Sequence, residues 1–224
     1  MPPERVELSA VVLAGGESRR MGRDKAWLET GGQPLIRLAV EKVRSLGIRE
    51  IFISGRPGED YSALRCPVLL DLEPGFGPLG GLERGLHACA SPFLLVLAVD
   101  LPRMTTLFLR KILARCDRLT GVVPRLGSEL EPLAAIYPKR CHAFAFQALV
   151  GFHRAARDFA AACLRERAVR ALPVATADVR CFANWNTPAD IPHAPLSAPR
   201  EGETHWHGRG LPESPAPAPR PCDR

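Results

Sequence analysis

The chain has 224 residues, 46% of them hydrophobic, 24% charged and only 6% aromatic, the balance of an ordinary globular protein with one sizeable core. No apolar run reaches the roughly 18 residues of a membrane-crossing helix, and the start MPPERVELSA lacks the positive-then-apolar order of a signal peptide. A cytoplasmic location without membrane contact is therefore expected. The formal charge of +6 comes nearly all from arginines spread along the chain, with no dense basic run and few interleaved aromatics, a pattern that suits polyphosphate substrates at least as well as a nucleic-acid partner, which stays a minor alternative.

The seven cysteines are odd in number and form no CxxC pair, so they read as reduced thiols packed as small apolar residues rather than as disulfides or a metal site.

Up to about residue 191, short apolar runs alternate with amphipathic stretches, the sign of stacked β–α units. Residues 8–14 read as a buried strand ending in Gly15-Gly16. Pro34 opens a helix over residues 34–45, with Leu35, Leu38, Ala39 and Val43 on one face and Gly47 as its stop. Ile51–Ser54 and residues 68–70 are further strands, the latter ending at Asp71. A glycine- and proline-rich loop leads to a helix over residues 79–89. Residues 93–99, FLLVLAV, form a strand apolar on both faces, as burial within a parallel sheet requires, and end at Asp100. A helix over residues 106–115 follows.

In the second half, strands at residues 122–123 and 133–137 flank a turn at 126–128, helices cover 142–149 and 155–165, and a strand covers 170–174. From residue 192 onward prolines interrupt a segment with almost no apolar periodicity, so residues 1–191 form the folded domain and 192–224 a flexible tail. The His205-Trp206-His207 of that tail is not expected to hold a metal.

The loop LAGGESRRMGRDK, after the first strand, carries the chemistry. Gly15 and Gly16 have no Cβ, so main-chain N–H groups can approach a ligand, while Arg19, Arg20, Arg23 and Lys25 add positive charge. Such a loop suits a triphosphate, with Lys25 countering charge that develops on the phosphates. It is neither a Walker A loop, since no glycine precedes Lys25 and no Ser or Thr follows it, nor a G-x-G-x-x-G turn.

Asp71 and Asp100 both end strands and so share the carboxyl edge of a parallel sheet with this loop, the edge where open α/β sheets bind ligands. Asp100 suits Mg²⁺, a cation that takes oxygen ligands and bridges to phosphates; Asp71 suits nucleotide contact. Between them Gly75-Phe76-Gly77-Pro78-Leu79-Gly80-Gly81 is expected to form a second close-approach loop that reads a base through backbone groups.

The segments LAGGESRRMGRDK, EPGFGPLGGL, VDLP and FANWNTPAD together resemble the molybdenum cofactor guanylyltransferase family, MobA-type, over residues 8–191. The first motif is shared with many sugar-phosphate and pterin nucleotidyltransferases. The double glycine of LAGG and the NxNTP ending narrow it, and Asp100 followed by Leu101-Pro102 differs from the DQP usual in related cytidylyltransferases.

The resemblance implies a Rossmann-like α/β nucleotidyltransferase fold, its mostly parallel sheet flanked by helices. It implies GTP contacts from Leu13, Ala14, Gly15, Gly16, Lys25, Asp71 and Asp100, with Asp100 also on Mg²⁺. The implied reaction is attack by the terminal phosphate of the molybdenum–molybdopterin cofactor on the α-phosphorus of GTP, expelling pyrophosphate. Lys25, Asp100 and Arg19 are the catalytic candidates, and the molybdoenzymes that receive the product, or their chaperones, are further partners.

Some relatives place an asparagine contact to the nucleotide at the end of the second strand; here Ser54 stands ready to replace part of it. Asn184 and Asn186 are candidates for the acceptor side, and Glu131-Pro132-Leu133 for its border. Competing readings are cytidylyl or other nucleotidyl transfer to a pterin or phosphorylated metabolite, and a non-catalytic carrier of nucleotide or cofactor.

Overall fold

A computed structural model describes residues 6–15, 25–71, 75–151 and 154–185. All belong to one compact unit, Met1–Pro192. Gly16, Arg19, Asn186 and the proline-rich segment 192–224 lie outside the described residues.

The first strand, β1 (Leu8–Leu13), sends alternate side chains to opposite faces: Ala10 and Val12 join one apolar cluster, Val11 and Leu13 the other. Two short strands follow, β2 (Glu29–Thr30) and β3 (Gln33–Pro34), paired antiparallel through Gly31 and Gly32 at φ 59° and 76°. Helix α1 (Leu35–Arg44) then buries Leu35, Ile36, Ala39, Val40 and Val43. Next come β4 (Ile51–Ser54), β5 (Val68–Leu69), α2 (Gly77–Ala88), β6 (Phe93–Ala98) and α3 (Thr106–Leu113). The remainder is β7 (Gly121–Leu126), β8 (Glu129–Leu130), β9 (Ala134–Pro138), α4 (His142–Val150), α5 (Ala156–Arg165) and β10 (Val169–Pro173).

The main sheet has the order β10-β7-β9-β6-β1-β4-β5, with β8 paired to β7. Strands β5, β4, β1 and β6 run parallel, as do β10 and β7; β9 runs against both its neighbours, and β8 against β7. This is the expected mostly parallel α/β sheet. The period-2 alternation of β1 recurs in β6, where Phe93, Leu95 and Leu97 face one cluster and Leu94, Val96 and Ala98 the other. The first cluster packs beneath α1 and α3, and the second beneath α2, α4 and α5.

Two features depart from expectation. The β2–β3 hairpin was not foreseen, because its strands are too short to show a period. Helix α2 begins at Gly77 rather than 79, so most of the expected second loop is helix.

Candidate active site

The strand register sets one level across the carboxyl edge. Leu13 pairs with both Ser54 and Ala98, and Ser54 pairs with Leu69, so the ends of β5, β4, β1 and β6 form one row. Asp71, Gly15 and Asp100 each lie two residues beyond that row, after the ends of β5, β1 and β6. Three strand spacings separate β5 from β6, about 14 Å, enough to lay out an extended nucleotide.

Backbone bonds fasten the chain where it leaves β1. The N–H groups of Ala14 and Gly15 both donate to the Ser54 carbonyl, at 2.9 and 3.0 Å, and Val99 N–H donates to the Leu13 carbonyl at 3.1 Å. The amides expected to face a ligand at Ala14 and Gly15 are thus already engaged; Gly15 offers instead a face without a side chain. Nothing in the fold demands glycine there. A Cβ at Gly15 would meet its nearest neighbours at an ordinary 3.7–3.9 Å, and its φ is not left-handed.

Lys25 re-enters the described chain at the start of a 3-10 turn, Lys25–Trp27. Ala26 is fully buried, and Trp27 stacks on Tyr61 with ring centroids 5.9 Å apart, so the turn is pinned directly beyond the lysine. Burial pushes the Asp100 carboxyl above the usual carboxylate range, and the nearby Lys25 ammonium draws it back. Glu131, from the segment between β8 and β9, is also raised, first by burial and in part by Asp100. Lys25, Asp100 and Glu131 therefore share one electrostatic neighbourhood.

The turn after Asp100 is tied from two sides. Lys42 on α1 donates through Nζ to the Pro102 carbonyl at 2.7 Å, and Trp185 N–H donates to the Asp100 carbonyl at 3.1 Å. The second bond brings Asn184 and Trp185 of the NWNTP motif to the strand-end acid. Asp100 does not cap the next helix; Thr105 does, its hydroxyl accepting from Phe108 N–H at 3.1 Å.

On the β4 side the expected loop resolves into a close helix–sheet contact. Gly75 and Gly77 take φ values of 91° and 59°, Pro78 occupies the first turn, and α2 then lies directly on the sheet. A Cβ at Gly81 would stand 2.1 Å from Ser54 Oγ, and one at Gly85 2.9 Å from Val11 Cγ1. Gly81 and Gly85 thus let the helix pack closely on the sheet. The same contact buries Ser54 to 5% exposure beneath α2, which corrects the expectation that its side chain replaces an asparagine contact.

Asp71 stands beside α2, where a Cβ at Gly80 would sit 3.1 Å from its carboxyl. Partial desolvation raises its pKa, Arg84 opposes that and Glu83 adds to it. Arg84, whose Nε is buried without a hydrogen-bond partner, was missed by sequence reading because an arginine on a helix carries no signal of its own.

A mostly parallel sheet with Gly15 and two strand-end acids on one edge and Lys25 beside Asp100 is the arrangement expected of a nucleotidyltransferase. Solved structures share the fold. A nucleotidyl transferase from Methanothermobacter thermautotroptrophicus superimposes with a TM-score of 0.66 at 21% identity, over 82% of this chain and 94% of that one. The molybdopterin-guanine dinucleotide biosynthesis protein A of Archaeoglobus fulgidus gives 0.64 at 24%, over 81% and 94%.

The model of the MobA-like NTP transferase domain matches residues 10–167, and the chain belongs to that family. The "probable molybdenum cofactor guanylyltransferase" of Opitutus terrae is 37% identical over 82% of this chain and 92% of its own length. Its namesake in Pelotomaculum thermopropionicum is 34% identical over 86% and 94%. Nucleotidyltransferases of this family are generally metal-dependent. No helix among the described residues is long and apolar enough to cross a membrane.

Proposed function

We propose that this enzyme transfers GMP from GTP to the molybdenum–molybdopterin cofactor, forming the guanine dinucleotide cofactor and releasing pyrophosphate. The names of its relatives support the substrates. The observation that supports the chemistry is that Gly15 and Asp100 stand at one level of the sheet edge, with the Lys25 ammonium and the Glu131 carboxylate in the electrostatic neighbourhood of Asp100.

In this reading the triphosphate lies across Gly15 and Gly16, flanked by Leu13 and Ala14, with Arg19 and Lys25 as its cationic partners. Asp71 holds the nucleoside end. The acceptor's terminal phosphate is itself the nucleophile, so no Ser–His or Cys–His pair is required. The chain's own contribution is alignment and charge neutralisation. Asp100 and Glu131 offer hard carboxylate oxygens in a partly desolvated position, a donor set that fits Mg²⁺, and Asp100 would hold it. Bound there, the cation supplies Lewis-acid stabilisation of phosphate oxygens. Asn184, which directly precedes the Trp185 tied to Asp100, serves the acceptor side. Residues 1–191 form the catalytic domain, working in the cytoplasm and delivering product to molybdoenzymes or their chaperones.

The test is pyrophosphate release from the purified protein, Mg²⁺ and the molybdenum-loaded acceptor, with GTP or CTP supplied separately. Release with GTP alone is expected. Release with CTP alone assigns cytidylyl transfer instead, and release with neither, despite nucleotide binding, indicates a carrier.

A further inference from the structure

Helices α2 and α4 meet at a cluster that the transfer reaction does not use. Glu83 and His87 lie one turn apart on α2, and His142 opens α4. One carboxylate oxygen of Glu83 and one ring nitrogen from each histidine all fall within 4.8 Å of one another. His142 Nε2 lies 2.6 Å from Glu83 Oε1, and the two imidazole rings are 5.2 Å apart, centre to centre.

Glu83 is the unusual member. Its side chain is only 4% exposed, and its second oxygen, Oε2, is buried without a hydrogen-bond partner. A buried carboxylate left half-satisfied is costly, and a cation removes that cost more completely than one imidazole does. His87 is exposed and His142 partly so, leaving a path from solvent to the buried carboxylate.

We propose that Glu83, His87 and His142 form a binding site for a borderline divalent metal of the zinc class, separate from the sheet-edge carboxylates. Two imidazoles and one carboxylate are a known zinc donor set that leaves a fourth position for water or another ligand. Zinc bonds of about 2.0–2.1 Å in tetrahedral geometry place ligand atoms about 3.4 Å apart. The Glu83–His142 pair therefore opens slightly, and His87 closes by about 1.4 Å from the 4.8 Å limit through side-chain rotation. Where His142 Nε2 carries the hydrogen-bonded proton, metal replaces it and the proton leaves to solvent. The donors are too soft a set for Mg²⁺, which takes carboxylates, waters and phosphates. Bound metal would clamp α2, the helix that lies on Ser54 and Asp71, to α4.

The test is titration of the chelator-treated full-length protein with Zn²⁺ by calorimetry and with Co²⁺ by visible absorption, without nucleotide. One Zn²⁺ per chain is expected at this site, with Co²⁺ bands typical of nitrogen and oxygen ligands. His87→Ala and His142→Ala should each weaken binding by about tenfold or more. The exposed His87 makes the first variant safe for folding, and circular dichroism checks the second. Absence of Zn²⁺ binding overturns the proposal. So does binding that is unchanged in the His87 variant, or a thiolate charge-transfer band, either of which assigns the metal to cysteines or to the histidines of the C-terminal segment.

Discussion

Two glycine-to-alanine substitutions should have opposite consequences. At Gly81 an alanine Cβ would lie 2.1 Å from Ser54 Oγ, 2.7 Å from Ser54 Cβ and 3.0 Å from Leu13 Cδ2. Relief requires α2 to lift by about 1 Å from the ends of β1 and β4, an overpacking cost near the upper part of about 1–3 kcal/mol. The better helix propensity of alanine returns up to about 1 kcal/mol. The net loss of about 1–2 kcal/mol corresponds to a Tm lower by about 2–8 °C for a domain of this size. At Gly15 the added methyl meets nothing closer than 3.7 Å among the described residues, so stability should stay within about 0.5 kcal/mol of the parent. In the proposed function the methyl nevertheless stands on the side that the triphosphate approaches. Displacing the phosphates by about 1 Å should lower kcat/KM for GTP by about 10²-fold. Thermal melts and steady-state pyrophosphate release on both variants provide the comparison. A Gly15→Ala enzyme with parental kcat/KM would refute the claim that this glycine serves the ligand. A Gly81→Ala protein that melts with the parent would refute the packing account of α2.

Asp100→Asn should reduce transfer by about 10²–10³-fold, while the metal-free protein melts higher than the parent. The sign follows from burial: the folded carboxyl titrates above its ordinary pKa of about 3.9, so ionising it costs folding energy. That penalty is absent below the ordinary pKa and complete above the raised one, so the variant's Tm advantage should grow as pH rises through this window and then level off. Equal Tm values at neutral pH would count against it. Lys42→Met leaves the Pro102 carbonyl without its partner and should cost about 1–3 kcal/mol, read as a lower midpoint in urea, with an unchanged midpoint as the contrary result. Trp27→Ala removes the ring stacked on Tyr61 and should loosen the Lys25 turn, lowering kcat/KM by about tenfold or more. If only Tm falls, the turn does not position the lysine.

The strands and the acids were legible because both follow from one-dimensional patterns. FLLVLAV must be buried on both faces, and the aspartate that closes it must then sit at the sheet edge. The helix over 79–89 was legible but its start at Gly77 was not, because three glycines among residues 77–81 carry a helix penalty of about 1 kcal/mol each. The reason for Gly81 lies in Ser54 and Leu13 and that for Gly80 in Phe76 and Asp71, and such closeness appears only once the packing of α2 on the sheet is known. Glu131 is similar: the charge of Asp100 raises its pKa across from the end of β6 to the segment beyond β8, and β9 separates β6 from β7. The spacing of Glu83 and His87 is readable as a helical pair, but His142 joins them only through the packing of α4.

The hydrogen bond from Trp185 N–H to the Asp100 carbonyl bears on synthesis as well as on geometry. The chain is made from its N-terminus at about 5–20 residues per second, so the interval between adding residue 100 and residue 185 is about 4–17 s. During that interval the first glycine turn, Lys25 and the acid already exist, yet the backbone that ties the acid's turn has not been made. The site is therefore completed last, from the far end of the folded chain. A nascent protein that stalls before Trp185 lacks that tie, which links the fastening of the Asp100 turn to the synthesis of a residue 85 positions later.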